Sequence, residues 1–210
     1  MDNQTLYFII VSVIYLLSDN ILTLIYKNRF KKNPDYVYKN PINESHRFLG
    51  RKILMMQSIY ILVLIYHLTK FDFGGLVSMI KYFNDPLIWL IGLIIGITFI
   101  ILSIISRLRL GSSWRVGIDK STDDKLITSG IYKFIRNPFF TSVLGFQFSL
   151  ILISPNALTI FNFIIGLILW GFQARNEEEF LILKYGGEYE NYKNNTGRFI
   201  PKLIKKQSSR

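Results

Sequence analysis

The sequence predicts an all-α, polytopic membrane protein with about five transmembrane helices, the last two forming a short helical hairpin. Half of the 210 residues are apolar, and they concentrate in five runs separated by polar segments. The formal charge of +11 lies mainly between those runs. The chain contains no cysteine, which excludes a disulfide framework and a thiolate metal site. The length indicates one integral-membrane domain over residues 1–210.

The first two apolar runs are predicted to be retained membrane helices. Leu6–Tyr26 has no basic segment before it and no small-residue cleavage site, unlike a signal peptide. Asp19 within this run is expected either to face the bundle or a wet cavity, or to pair locally near a helix end. Ile53–Leu68 is a short second span. The mixed segment Lys70–Pro86 is expected to lie along the membrane interface.

The third run, Leu87–Ser106, ends an N-terminal portion of three spans over residues 1–106. Twenty helical residues extend about 30 Å, which matches the thickness of the hydrocarbon core. Gly92 and Gly96 form a G-x-x-x-G pattern, which permits close approach of another helix. We interpret it as a packing motif.

The fourth and fifth runs are predicted to form the hairpin. Phe139–Ser154 and Ala157–Gln173 are short, and Ser154-Pro155-Asn156 is a turn signal between them. The last helix is expected to continue beyond the membrane until Gly186-Gly187 ends it. These runs lie in a region spanning residues 107–201, and residues 202–210 form a basic tail.

The distribution of positive charge predicts an orientation. Of the 25 basic residues, eight lie in Lys27–Lys52, seven in Arg107–Arg136 and eight in Arg175–Arg210. Five spans place all three segments on one side, so the positive-inside rule puts the N-terminus outside and the C-terminus in the cytoplasm. The charge then serves orientation and contact with anionic membrane lipids. No nucleic-acid recognition motif accompanies it.

The segment Leu126–Phe140, LITSGIYKFIRNPFF, joins a polar loop to an apolar run. Gly130 permits a turn that other residues resist. Pro138 is suited to the first turn of a helix, so the loop is predicted to end near Asn137 and a membrane helix to begin at Pro138. Arg136 and Asn137 would then lie at the mouth of that helix.

The predicted topology brings this segment close to the acidic run Glu177–Glu179. Arg136, Asn137 and Arg175 are expected to converge with these acids near the membrane surface. Two interpretations are open: a site where a polar cofactor meets a lipophilic substrate, or ion pairs that order the loops. No metal constellation or Ser-His-Asp set is present, and the two histidines, His46 and His67, are expected to be structural.

The pattern L-I-T-S-G-I-Y-x-x-x-R-N-P-x-F, followed by E-E-x-x-L-x-x-x-Y-G-x-x-Y-x-x-Y and R-F-I-P, resembles the isoprenylcysteine carboxyl methyltransferase family. This group of integral-membrane, S-adenosylmethionine-dependent methyltransferases includes phospholipid N-methyltransferase-like members. The resemblance covers roughly Leu110–Pro201. Five spans also fit the smaller prokaryotic members, which implies a prokaryotic plasma membrane.

The resemblance implies a cofactor pocket at the cytoplasmic ends of the last two spans. Glu177 would hydrogen-bond S-adenosylmethionine, and Arg136, Arg175 and Glu178 would serve the reaction: the arginines would orient an anionic acceptor, and Glu178 or Tyr132 would act as base for an amine or hydroxyl acceptor. The other residues implied to line the cofactor site are Leu126, Ile127, Tyr132, Asn137, Pro138, Phe139 and Phe140.

Three residues depart from the family pattern, and the third departure bears on the acceptor. Asn137 replaces the usual histidine, Phe140 replaces a tyrosine, and Gln173 stands where carboxyl-methylating members carry an arginine, with Arg175 nearby. A prenylcysteine-like carboxylate or similar lipid-like acceptor is the first expectation. The alternatives are a phospholipid or other amine N-methyltransferase of the same fold, and a membrane scaffold that has lost cofactor binding.

Overall fold

The computed structural model describes residues 2–31, 44–71, 75–80, 84–114 and 125–202. Side chains within residues 44–49 and 52 fall outside this description. The described part of the chain is helical, with one isolated β-bridge and no strand. Its α-helices are α1 (Asn3–Phe30), α2 (Glu44–Thr69), α3 (Pro86–Leu110), α4 (Pro138–Ile153), α5 (Ala157–Tyr185) and α6 (Gly187–Asn195).

Helices α1 to α5 contain the five predicted apolar runs, which confirms an all-α polytopic membrane protein. Three of them, α1, α3 and α5, are long and apolar enough to cross a membrane, and the apolar parts of α2 and α4 are shorter. Helix α3 continues to Leu110, one turn beyond the predicted span. The end of the third apolar run at Ser106 predicted a polar loop from Arg107 to Asn137. For Arg107 this was wrong, because it lies in the last turn of α3 and is buried. An apolar run ends at its first charge, whereas a helix continues while its backbone bonds are made.

The helix ends follow local chemistry. Helix α4 begins at Pro138, as predicted, with Asn137 as the preceding residue. Asn156 and Thr159 form a capping box at the start of α5, each side chain bonding the other's backbone N–H. Gly186 ends α5 at a φ of 53°, and Gly130 takes a φ of 65° in the preceding loop. The predicted turns at both glycines are confirmed.

Close approach of α3 and α4 depends on glycines. A Cβ at Gly96 would lie 2.5 Å from Val11 Cγ2 and 2.9 Å from Ser149 Oγ. At Gly92 it would lie 2.8 Å from Ile153 Cγ1. The G-x-x-x-G pattern therefore brings α3 against α1 and α4, which confirms its interpretation as a packing motif.

The two ends of the bundle differ in chemistry. We name the end where α1 and α3 finish and α4 begins the basic end. At the opposite end, Gln4 Nε2 donates to Ile153 O at 2.8 Å, and the Ile80 N–H donates to Pro155 O at 2.7 Å. The described residues 75–80 thus pack on the α4–α5 turn.

His67 is also part of the opposite end. It is buried, with Nε2 2.9 Å from Ser154 Oγ, Nδ1 3.3 Å from Thr5 Oγ1 and its ring stacked on Phe8. These contacts join α1, α2 and the α4–α5 turn, which is a structural role, as predicted. The side chain of His46 and residues 203–210 of the basic tail lie outside the described residues.

Candidate functional site

The loop that precedes α4 is held by the end of the chain. After α6, the chain returns beside α4: the Arg136 N–H donates to Gly197 O at 2.8 Å, and the Asn137 N–H donates to Arg198 O at 3.0 Å. Ile135 and Gly197 form a parallel β-bridge. We call residues 196–201 the return segment. Backbone bonds from the return segment thus fix the position of the R-N-P motif.

Glu178 lies at the centre of an ion cluster beneath this loop. Glu178 is only 2% exposed. Arg136 Nε donates to Oε1 at 3.1 Å, Asn137 Nδ2 donates to Oε1 at 2.9 Å, and Arg198 Nη2 donates to Oε2 at 2.8 Å. The guanidinium of Arg136 also donates to the carbonyl oxygens of Lys193 and Thr196. One carboxylate therefore joins α5, the start of α4 and the return segment.

The same contacts determine the ionisation of Glu178. Burial raises the pKa of this carboxyl, but hydrogen bonds from Arg198 and Arg136, the charge of Arg136 and the amide of Asn137 outweigh it, so the pKa is lowered. Glu178 lies beyond the apolar run of α5, which ends at Gln173. A carboxylate so engaged is a poor proton acceptor, so the geometry suits ordering of the site better than general-base chemistry.

Glu177 occupies a different environment from its neighbour. It is partly exposed, and Gln173 Nε2, one turn earlier on α5, donates to its Oε1 at 2.8 Å. Burial raises the pKa of Tyr132, and the negative charge of nearby Glu177 raises it further. The Tyr192 hydroxyl donates to Tyr132 O at 2.6 Å. Two residues implied to bind the cofactor, Tyr132 and Glu177, are thus brought together although 45 positions apart.

An aromatic cluster follows Asn137 at the start of α4. Phe140 stacks on Trp170 of α5 with ring centroids 5.3 Å apart, and Phe139 packs against the same cluster. Trp170 Nε1 is buried and has no hydrogen-bond acceptor among the described residues. Leu126 and Ile127 are half-buried on the approach to this region, and Pro138 is buried at the first turn of α4. The arrangement combines a partly exposed carboxylate with an apolar, aromatic wall.

Only some of the side chains that were expected to converge on the acidic run make contact in the described part of the chain. Arg136 and Asn137 meet Glu178 directly. Arg175 is exposed, and the described residues give it no hydrogen bond or ion pair, while Glu179 is also exposed. Sequence reasoning missed Arg198 as part of the cluster and missed α6. The signal for Arg198 was the closing R-F-I-P pattern, Arg198–Pro201.

Comparisons with known proteins found similarity to methyltransferases. A profile of the family described as "Phospholipid methyltransferase" matches residues 87–188. A protein-S-isoprenylcysteine O-methyltransferase from Dictyostelium discoideum is 29% identical over 152 residues, which cover 66% of this chain and 63% of that protein. One of the same name from Saccharomyces cerevisiae (strain ATCC 204508 / S288c) is 38% identical over 89 residues, covering 39% of this chain and 35% of that protein.

The chain spans less than two thirds of the length of these relatives. The region matched by the profile includes α4, α5 and nearly all of α3, and with them the loop and the helix that carry Arg136, Asn137 and Glu178. The family profile and both relatives are all named as methyltransferases. The comparisons confirm that this integral membrane protein resembles the isoprenylcysteine carboxyl methyltransferase-like family.

Proposed function

We propose that the protein is a membrane methyltransferase that moves the methyl group of S-adenosylmethionine to a lipophilic acceptor. The observation that carries this proposal is the junction of two distant motifs, in which Tyr132 lies near Glu177 while Arg136 and Asn137 bind Glu178. These five residues fall within the region that matches the methyltransferase family.

The residues present fit the proposed cofactor. Glu177 offers a carboxylate for an ammonium group or ribose hydroxyls, and Gln173 orients it through their hydrogen bond. The buried, unpartnered Trp170 Nε1 beside Phe140 is a donor that a polar ligand could satisfy. Leu126, Ile127, Tyr132, Pro138, Phe139 and Phe140 supply apolar and aromatic surface. When bound, S-adenosylmethionine supplies a methyl group that its sulfonium already activates.

The protein's contribution is then positioning and exclusion of water. Glu178, Arg136 and Arg198 hold the loop, α5 and the return segment in one arrangement, so these residues position the site rather than touch the transferred group. Asn137 performs the same task through its amide. Exposed Arg175 remains the candidate for attracting an anionic acceptor at the membrane surface.

The ionisation of the site favours a carboxylate acceptor. A carboxylate is a nucleophile without loss of a proton, whereas a protonated amine needs a base. The lowered pKa of Glu178 and the raised pKa of Tyr132 leave both unsuited to that task. Both relatives are named for O-methylation of isoprenylcysteine, which agrees with a prenylcysteine-like acceptor. An amine acceptor is the second candidate, because the matching profile is named for phospholipid methylation.

The proposed orientation puts the basic end of the bundle in the cytoplasm. The ion cluster, α6 and the return segment all lie at this end. A soluble cofactor would then enter from the cytoplasm, while the apolar part of an acceptor would reach the same site from the bilayer. A prokaryotic plasma membrane remains our expectation for the location.

The proposal is tested by calorimetric titration of S-adenosylmethionine into protein reconstituted in nanodiscs. The parent protein should bind, Glu177→Ala should weaken binding by tenfold or more, about the effect of losing one charged hydrogen bond, and Glu179→Ala should not. Glu179 is a matched control because it is an exposed carboxylate on the same helix. A folded parent that does not bind S-adenosylmethionine would refute the proposal.

A further inference from the structure

A small cavity lies inside the bundle, away from the site described above. It has a volume of about 10 Å³ for a sphere of water size, which is room for one water molecule. Asn162, on its wall, is sixteen residues before Glu178 along α5, a distance of about 24 Å. The other walls belong to α1, α2 and α4, and they include Phe8, Tyr60, Val63, Gln147 and Leu150. The cavity is therefore separate from the ion cluster.

Two amide oxygens on the cavity walls lack hydrogen-bond donors. Gln147 and Asn162 are each 6% exposed, and within the described part of the chain neither Gln147 Oε1 nor Asn162 Oδ1 accepts a hydrogen bond. Buried carbonyl oxygens without donors are unfavourable, above all inside a membrane, where bulk water does not reach them. These oxygens therefore require a donor that the described side chains do not supply.

The backbone places the two amides at the same depth and beside each other. Gln147 lies six residues before the end of α4, and Asn162 lies five residues after the start of α5. A Cβ added at Gly166 would collide with Gln147 Oε1, so this oxygen lies against α5 at Gly166. Because Asn162 and Gly166 are four residues apart, they share one face of α5. The Gln147 amide therefore lies about one helical turn from Asn162, a spacing that one water molecule can bridge.

The other polar groups of the cavity leave the role of donor to water. The Thr159 hydroxyl already donates to Ser154 O at 2.7 Å, within the α4–α5 turn. Among the described residues, the Tyr60 hydroxyl has no partner in hydrogen-bond geometry, although it lies near Ser12 of α1. A divalent cation takes about six or more oxygen ligands, which a cavity of this size with mostly apolar walls does not provide.

We propose that Gln147 and Asn162 bind one buried water molecule, which donates a hydrogen bond to each amide oxygen and joins α4 to α5 inside the membrane. The oxygen of this water accepts from the Tyr60 hydroxyl, which adds α2 to the contact. A buried water molecule typically makes about three such bonds. The site thus adds hydrogen bonds between helices where Phe8 and Leu150 supply only apolar packing. It does not depend on the proposed cofactor or acceptor.

The test is pulsed X-ray hydroxyl-radical labelling of the full chain in nanodiscs. A bound water molecule that absorbs the pulse yields a hydroxyl radical, which oxidises the side chains beside it. In isotopically labelled water, mass spectrometry shows whether the added oxygen comes from that water. Phe8 lines the cavity and is fully buried, so its ring is shielded from bulk water. In the parent protein Phe8 should nevertheless be oxidised, and the added oxygen should carry the label.

Three variants isolate the role of the amides. The double variant Gln147→Leu, Asn162→Leu removes both amides together, so neither is left without a partner, and labelling of Phe8 should fall to background. Asn162→Leu alone changes the size of the side chain little and should lower the labelling several-fold, which keeps the test decisive if the double variant folds poorly. Ser142→Ala is the matched control, because the buried Ser142 hydroxyl donates to Phe139 O within α4, and it should leave the labelling unchanged.

Three results would overturn the inference. The first is a parent protein in which Phe8 is not oxidised, which would indicate that the two amides bond each other directly. The second is a folded double variant that keeps the labelling of the parent protein, because other groups would then hold the water. The third is a Ser142→Ala variant that loses as much labelling as the double variant. S-adenosylmethionine binding has no part in this readout, so failure of the proposed function would leave the test intact.

Discussion

Arg198 Nη2 donates to Glu178 Oε2 at 2.8 Å, and this contact attaches the return segment to the last long helix of the bundle. The carboxylate is almost fully buried, while the arginine is about one third exposed. Arg136, the second cation on the same carboxylate, is itself nearly buried. The cluster is therefore asymmetric. Removal of Glu178 leaves the buried Arg136 without its ion-pair partner, whereas removal of Arg198 leaves no buried charge unpaired.

This asymmetry predicts different costs for the two partners. Glu178→Ala should destabilise the protein by about 3–5 kcal/mol, because a buried charge is left unpaired. Arg198→Ala should cost about 1–3 kcal/mol, because Glu178 keeps its bonds from Arg136 and Asn137. Thermal unfolding followed by circular dichroism in nanodiscs measures both. Glu179→Ala should stay close to the parent protein, and an equal loss for Glu178→Ala and Glu179→Ala would contradict a structural role for the cluster.

Low pH should reduce the stability of the folded protein by protonating the Glu178 carboxylate. The pKa of Glu178 is lowered in the folded state, so the unfolded chain binds its proton first as the pH falls. The stabilisation is complete above the unfolded value, near 4.5, and is lost as the pH drops through the lower folded value. The midpoint temperature should therefore hold from pH 7 to about pH 5 and then decrease.

Glu178→Gln tests the origin of that decrease. The amide keeps the size of the side chain but cannot titrate, so the variant should start from a lower midpoint temperature and lose less of it in acid. If the parent and Glu178→Gln show the same slope below pH 4.5, the acid sensitivity arises from other carboxylates.

Helix packing gives a prediction with an internal control. Gly96→Ala would place a Cβ 2.5 Å from Val11 Cγ2 and should destabilise the protein by about 1–3 kcal/mol through overpacking. Gly171 lies in α5, and a Cβ added there would meet no atom within 4 Å, so Gly171→Ala should be neutral or stabilising by up to about 1 kcal/mol. Thermal unfolding distinguishes the two. Equal effects would show that the α3–α4 contact does not depend on the small residue.

Apolar length and turn chemistry were sufficient to predict the spans, the start of α4 at Pro138 and the end of α5 at Gly186. These features depend on a few consecutive residues. Arg107 was misplaced because a charge that follows an apolar run gives the same pattern whether it leaves the bundle or turns into it. Its burial depends on Trp114 and Phe139, and no local pattern reports contacts between distant segments.

The location of the site could be predicted from the sequence, but its hydrogen bonds and ion pairs could not. The motifs indicated that Arg136, Asn137 and the acidic run would meet, and the structure brings Arg136 and Asn137 to Glu178. Which of three consecutive acids faces inward is set by the rotation of α5 against its neighbours. The docking of the return segment relies on backbone bonds between Ile135–Asn137 and residues 197–198, which leave no side-chain signature.

The link between Tyr192 and Tyr132 gives the last prediction. The Tyr192 hydroxyl donates to Tyr132 O at 2.6 Å, and burial raises the pKa of Tyr192, so the donor stays protonated at neutral pH. Tyr192→Phe removes this bond and leaves the carbonyl without that donor, at a cost of about 1 kcal/mol.

Because Tyr132 belongs to the proposed cofactor site, Tyr192→Phe should also weaken S-adenosylmethionine binding several-fold in the calorimetric titration. Tyr66→Phe removes a hydroxyl from α2 near the opposite end of the bundle and serves as the matched control for loss of a phenol. A Tyr192→Phe variant that is less stable but binds as tightly as the parent would restrict α6 to a structural role. Weaker binding in Tyr192→Phe alone would show that α6 helps to set the geometry of the loop before α4.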